Sequence, residues 1–348
     1  MDLVHNMQTA HGEVRHTISH RITPALFVIL VVAVAIMYPS KNAVAVNGPV
    51  KAVATISIIA DIARNVGLDH ASIDVLVPND GDPHQFDPRP DDVRKLSDAQ
   101  LIFANGAGLE RFLVPLIQAS GSKASIITVS AGLPIQRMGQ AVPNTGPTPT
   151  PLGISGTLDC AVPQAGAEAE YCDPHLWQNP LNVVTYVENI RDAFARVDPA
   201  NADAYQANAA AYIAKLKQLD ADITASLSAI KQADRQLVTN HDALGYFAAR
   251  YQFTIAAVVL PGGAAGEVIE PDPQQVARLI DQLKAEKVKA LFIENTSTNK
   301  LAAQIAAQAG ITVVTGLYTD ALGEPGTDGD TYIKMMAANA KAIQAALQ

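Results

Sequence analysis

The stretch from Pro199 to Lys231, PANADAYQANAAAYIAKLKQLDADITASLSAIK, decides how this chain is organised. Tyr205, Ala209, Tyr212, Leu216, Leu219, Ile223, Leu227 and Ile230 recur along it every three or four residues. That spacing lines side chains up on one face of a helix. Asp198 and Pro199 are expected to start the helix, one as N-cap acceptor and the other as a first-turn residue with a suitable φ. At 1.5 Å per residue the whole stretch would be about 48 Å long. A small lobe is shorter than that, so the helix is expected to run across two.

On both sides of this stretch, short apolar runs alternate with helical patterns. Before it, strands are expected at Val53–Ser57, Ile73–Val77, Leu101–Ala104 and Ile126–Val129. Helices are expected at Ile58–Val66, Asp91–Ser97, Leu109–Gln118 and Pro180–Arg196. After it, strands are expected at Leu237–Thr239, Thr254–Leu260, Ala290–Ile293 and Thr312–Thr315. Their helices are Asp242–Tyr251, Pro273–Glu286, Lys300–Ala309 and Asp330–Leu347. Alternation of this kind implies parallel sheets flanked by helices. The expected fold class is α/β: two lobes, each with a parallel sheet flanked by helices, joined by one long linking helix, with a cleft between. The expected segments are a signal peptide over 1–45, an N-terminal lobe over 46–198, the linking helix over 199–231 and a C-terminal lobe over 232–348. Pro134 to Tyr171 breaks the alternation. Its prolines 143, 147, 149, 151 and 163 mark a long surface loop.

A chain of 348 residues has room for two domains. With 49% apolar and 17% charged residues it suits a packed globular protein. A net charge of −9 without a basic stripe speaks against nucleic-acid binding. Arg15 and Arg21 precede an uncharged apolar run, Ile22 to Met37, followed by Pro39 and by Ala43-Val44-Ala45. Basic flank, apolar core and small-x-small site are the order of a secretory signal. The run would rise about 24 Å as a helix, short of a hydrocarbon core of about 30 Å. Export with cleavage is therefore preferred over a retained N-terminal anchor. No cysteine follows the run, which excludes lipid attachment there. The only cysteines, Cys160 and Cys172, are expected to pair in an exported chain, and their spacing is poor for zinc.

Four histidines, His5, His11, His16 and His20, precede the apolar run and would leave with the signal. His70 reads as a surface residue after a helix exit. His84, His175 and His241 each follow a strand or a turn at the expected edge of a sheet, where open α/β sheets bind ligands. Two of them sit in the repeated tripeptides Asp82-Pro83-His84 and Asp173-Pro174-His175. Three imidazoles and one carboxylate would close a tetrahedral zinc site, and Asp320, after the last strand, is the best carboxylate candidate. Glu294, at the end of a strand, is expected to support a ligand through hydrogen bonding rather than to bind metal. Spacing alone leaves metal binding and ordinary surface histidines as equal alternatives.

The motifs resemble those of the cluster A-I metal-binding proteins of zinc and manganese ABC importers. Gly81-Asp82-Pro83-His84-Gln85-Phe86-Asp87-Pro88 resembles the first ligand loop of that family, followed by Asn105-Gly106-Ala107-Gly108-Leu109-Glu110. Asp173-Pro174-His175-Leu176-Trp177 resembles the second and Asn240-His241-Asp242-Ala243-Leu244-Gly245-Tyr246-Phe247 the third. Tyr318-Thr319-Asp320-Ala321-Leu322-Gly323 resembles the fourth. The resemblance implies that His84, His175, His241 and Asp320 bind Zn²⁺ between the lobes, and that the protein is a periplasmic or extracytoplasmic carrier with no catalytic residues. It implies the membrane permease of an ABC importer as partner. The carrier is expected to be a monomer, with loading by a metallochaperone left open. Manganese members typically place a carboxylate where His241 stands, so Mn²⁺ is the less favoured cargo. The zinc members often carry a His-rich loop before the second ligand, whereas Pro134 to Tyr171 contains no histidine. Two other readings remain: an exported zinc hydrolase with Glu294 as its base, and a surface-interaction protein with a structural metal.

Overall fold

The computed structural model describes residues 48–136, 138, 172–260, 271–296 and 300–348. The expected signal peptide, Cys160 and nearly all of the proline-rich loop lie outside them. Among the described residues no helix is long and apolar enough to cross a membrane.

Four parallel strands form the first sheet: β1 (Val50–Ile56), β2 (Ala71–Val77), β3 (Leu101–Ala104) and β4 (Ser125–Thr128), in the order β2-β1-β3-β4. Four more form the second: β5 (Gln236–Thr239), β6 (Thr254–Val258), β7 (Ala290–Glu294) and β8 (Thr312–Leu317), in the order β6-β5-β7-β8. Strand order thus reverses between β1 and β3 and again between β5 and β7, which opens a crevice at the carboxyl ends of the strands. β3 and β7 are buried at every position. Their apolar runs, Leu101–Ala104 and Ala290–Ile293, follow from helices covering both faces of a parallel sheet.

The helices are α1 (Ser57–Gly67), α2 (Pro90–Asp98), α3 (Leu113–Ser120), α4 (Pro180–Val197), α5 (Ala202–Leu227), α6 (Gly245–Tyr251), α7 (Pro273–Ala285), α8 (Lys300–Ala309) and α9 (Tyr332–Leu347). All eight residues of the apolar stripe read from the sequence are at most 5% exposed. Burial at about 1.5–3 kcal/mol per large side chain outweighs the weak helix propensity of its Tyr and Ile residues, at most about 0.7 kcal/mol each. α5 packs on α1 and α4 beside the first sheet and on α9 beside the second. Arg250 on α6 forks onto Asp220 of α5, with Nε–Oδ1 at 2.8 Å and Nη2–Oδ2 at 2.5 Å.

The helix is shorter than expected, 26 residues and about 39 Å. At its start, Pro199–Asn201 form a 3-10 turn. Asp198 does not cap the backbone; its carboxylate accepts instead from Asn201 Nδ2 (2.7 Å) and Tyr205 OH (2.8 Å). At the other end the Arg235 guanidinium takes the carbonyls of Leu227 (3.0 Å) and Ile230 (3.3 Å). This satisfies acceptors that the next helical turn would have used.

Candidate metal centre

Both Asp-Pro-His tripeptides make the same local turn. Asp82 Oδ1 accepts from the His84 backbone N–H at 2.8 Å, and Asp173 Oδ1 accepts from that of His175 at 2.9 Å. An aspartate bonding two residues ahead mimics a backbone turn, and proline fixes φ between the two. The rings are held differently. Asp173 Oδ1 also lies 2.7 Å from His175 Nδ1. When that imidazole is neutral, Nδ1–H faces Asp173 and the Nε2 lone pair faces the site, as in carboxylate-supported metal ligands. Asp82 Oδ2 is taken by Gln85 Nε2 at 2.7 Å.

A buried network supports the second tripeptide from below. Just past β3, Asn105 Nδ2 donates to the Pro174 carbonyl at 2.8 Å, while Asn105 Oδ1 accepts from Tyr186 OH. Glu110 accepts from Asn105 N (2.5 Å), Gly106 N (2.9 Å) and Thr55 Oγ1 (2.8 Å). Turning Glu110 inward takes the chain out of helical geometry there. The helix expected from Leu109 accordingly begins at Leu113.

His241 follows β5, and the helix expected from Asp242 begins only at Gly245. Glu294, the last residue of β7, lies with Oε2 3.4 Å from His241 Nδ1. Its other oxygen accepts from Asn240 Nδ2 at 2.8 Å, its backbone N–H donates to Asn240 Oδ1 at 3.0 Å, and Thr319 Oγ1 donates to Oε2. Asp320 follows β8 on a loop folded around Tyr318. A Cβ on Gly323 or Gly329 would stand 2.7 or 2.3 Å from that ring, so neither position has room for a side chain.

His84, His175, His241 and Asp320 converge at the carboxyl ends of the two sheets, with one candidate ligand atom from each within 4.8 Å of the others. His84 Nε2 is 3.3 Å from His175 Nε2 and 3.7 Å from Asp320 Oδ2. Asp320 Oδ1 lies 3.3 Å from His175 Nε2, and Oδ2 lies 3.3 Å from His241 Nδ1. A tetrahedron with metal–ligand bonds of about 2.0–2.1 Å has edges of about 3.3–3.4 Å. Asp320 Oδ1 is buried and faces the His175 ring at 3.3 Å, so its charge calls for a cation there, either the protonated ring or a metal. The His175 and Asp320 side chains are 0% and 2% exposed, whereas His84 and His241 are 11% and 17% exposed.

Electrostatics divides the rings. Burial pushes the His84 pKa down to about 3, because Asp320 does not offset it and the other two imidazoles add to it. Burial also opposes the His175 cation, but Asp320 and the hydrogen bond that the ring donates to Asp173 outweigh it and raise the pKa to about 10. At His241, burial is outweighed by Glu294 and Asp320, and the pKa rises to about 9. Burial would raise the Asp320 pKa, yet His175 and His241 hold it below the usual carboxylate range. Without metal, two protonated rings therefore offset the buried carboxylate, and an arriving cation must displace their protons.

Bonds between the halves surround the site. Trp177 Nε1 (2.6 Å) and Gln178 Nε2 (2.8 Å) donate to Thr319 O, and Tyr332 OH donates to Trp177 O at 2.6 Å. Leu322 N donates to Ser57 Oγ at 3.0 Å. Sequence reasoning did not assign roles to Asp173, Asn105, Glu110, Asn240 or Thr319, although all of them lie inside or beside the motifs it quoted.

The family model described as zinc-uptake complex component A, periplasmic, matches residues 52–346. Among relatives, the chain is 30% identical over 289 residues to manganese-binding lipoprotein MntA of Halalkalibacterium halodurans, covering 83% of this chain and 85% of that protein. It is 32% identical over 303 residues to iron-binding protein YfeA of Yersinia pestis, covering 85% and 88% respectively. The solved structure of periplasmic zinc binding protein TroA from Treponema pallidum shares the fold, with a TM-score of 0.71 at 24% identity over 86% of this chain and 99% of that one. The ordered motifs, the paired four-stranded sheets and the match over nearly the whole described chain place this protein in the ZnuA family, the cluster A-I substrate-binding proteins of metal ABC transporters.

Proposed function

We propose that the protein captures Zn²⁺ between its lobes at His84, His175, His241 and Asp320 and delivers it to the membrane permease of an ABC importer. The carrying observation is the set of three imidazoles and one carboxylate brought together with one ligand atom from each within 4.8 Å of the others, the closest pairs being 3.3 Å apart. Imidazole nitrogen suits zinc, while manganese prefers more oxygen ligands and higher coordination. Four protein ligands leave no position for a reactive water, which supports a carrier over a hydrolase. Glu294 is moreover engaged by Asn240 and Thr319, as befits a group that orients His241 rather than a general base.

Manganese or iron as cargo is the second reading. Relatives named for those metals support it, as does the approach of Glu294 Oε2, a further oxygen, to His241. Competition titration decides between them. Zinc is expected to displace manganese at neutral pH, and His241→Glu is expected to move the preference toward manganese. Equal or tighter manganese binding by the unsubstituted protein would overturn the zinc assignment.

The proposed carrier acts as an extracytoplasmic monomer, cleaved near Val46, with Cys160 bonded to Cys172. Unlike the relatives named as lipoproteins, it has no cysteine besides this pair to carry a lipid, and among the described residues no cysteine is free. Intact mass before and after reduction and alkylation checks both points: a retained Ile22–Met37 segment means an anchor, and two free thiols refute the bond.

A further inference from the structure

α6 opens with Gly245, a buried residue at a position where helix propensity favours alanine. Its φ is not positive, so backbone freedom does not explain the glycine. Space does. A Cβ on Gly245 would stand 2.5 Å from Asp173 Oδ2, closer than real Cβ contacts come. Asp173 is only 2% exposed and has no free path to solvent. Its Oδ1 is already committed to the His175 backbone N–H (2.9 Å) and ring Nδ1 (2.7 Å). The next residue, Tyr246, reinforces the contact, because its hydroxyl donates to Asp173 O at 3.2 Å and accepts from Gln136 N at 2.8 Å.

We propose that Gly245 is a positioning residue that couples the two halves of the site: its missing side chain lets α6 close onto Asp173, which in turn holds the His175 ring for the metal. A methyl group at 245 would have to push either α6 or the Asp173 carboxylate away. Either movement separates the loop that carries His241 from the loop that carries His175, or releases the His175 ring. The affinity readout rests on the metal-carrier reading above, whereas the steric coupling can be measured without metal.

The test uses four full-length proteins: unsubstituted, Gly245→Ala, Asp173→Ala and the double variant. Zn²⁺ affinity is read by chelator competition and metal-free stability by Tm. Gly245→Ala is expected to weaken zinc binding by about tenfold or more, the scale on which supporting hydrogen bonds act, and to lower Tm. With Asp173→Ala in place the clash is gone. There the same substitution should change affinity by less than about twofold, as expected when two residues act through one contact, and should leave Tm unchanged or raised, because alanine is the better helix former. Equal losses in both backgrounds would overturn the proposal, as would Gly245→Ala binding as tightly as the unsubstituted protein. If Gly245→Ala alone fails to fold, a folded double variant supports the coupling and an unfolded one refutes it. If the unsubstituted protein binds no zinc, manganese or iron, the carrier reading fails, and the Tm comparison still decides the role of Gly245.

Discussion

Asp82-Pro83-His84 and Asp173-Pro174-His175 are the same tripeptide, make the same backbone turn and deliver imidazoles to the same point, yet the two rings have opposite electrostatics. The His84 pKa lies near 3 and the His175 pKa near 10. Asp82 stops at the His84 backbone and at Gln85, while Asp173 continues to the His175 ring. Behind the second tripeptide stand Asn105, Tyr186 and Glu110; in front of it stand α6 and Tyr246. The tripeptide therefore sets the backbone, and the surroundings set the ring. The first loop supplies a neutral imidazole from a partly exposed position, while the second supplies a buried one whose charge offsets Asp320.

Removing the rings should expose this difference most strongly. His175→Ala leaves Asp173 and Asp320 buried without the cation that faces both. Breaking a buried pair in this way costs about 3–5 kcal/mol. His84→Ala removes a neutral ring, and its metal-free stability loss should stay below about 1.5 kcal/mol, within the range of ordinary substitutions. Urea denaturation of the metal-free proteins measures both. The pH dependence has a definite sign. The His175 pKa is raised on folding, so its contribution is full below the ordinary imidazole pKa of about 6.5 and fades as pH rises through 10. The stability gap between the unsubstituted protein and His175→Ala should therefore narrow from pH 7 to pH 10, and a constant gap would remove the counter-charge role.

The aspartates should differ next. Asp173→Asn keeps an acceptor for the backbone turn but loses the charge facing the ring, and loss of such a partner costs about 10–100-fold in metal affinity. Asp82→Asn touches only the turn and Gln85, so its cost should stay under about threefold, within one kcal/mol of an ordinary neutral hydrogen bond. Chelator competition with zinc compares them. Equal losses would mean that both residues act through the turn alone and that the second ring needs no carboxylate.

Much of this arrangement was legible in the sequence because it is written in periodicity and punctuation. The α5 stripe from Tyr205 to Ile230 follows the helical repeat, and strands such as Leu101–Ala104 are bounded by turn residues. The four converging side chains could be nominated because each follows a strand or turn at a sheet's carboxyl edge. Side-chain competition for the backbone was not legible. Asp198 bonds Tyr205 rather than capping the helix, and Glu110 pulls residues 109–112 out of the helical pattern. Nor could the sequence separate Asp82 from Asp173, since the same Pro-His follows both and the distinction lies in groups far along the chain. Gly245 looked like one glycine in a motif until Asp173 appeared where its Cβ would be.

The finest difference between the loops is one proton. At pH 7 the raised pKa values of His175 and His241, about 10 and 9, leave both rings charged in the metal-free protein, while His84 is neutral. A metal held by these rings, as proposed, would take a lone pair from each, so its capture would expel the two protons and draw none from His84. Affinity should then rise with pH between 7 and 9, where rings of ordinary pKa, about 6.5, would already have reached a plateau. Calorimetry in buffers of different ionisation enthalpy counts the protons directly. About two should be released per zinc at pH 7 by the unsubstituted protein, and His84→Gln should still release about two at lower affinity. His175→Gln should release about one, because only His241 then remains charged. A count near zero for the unsubstituted protein would mean that Asp320 is offset by some group other than these rings, and the contrast between the two tripeptides would then be one of depth and not of charge.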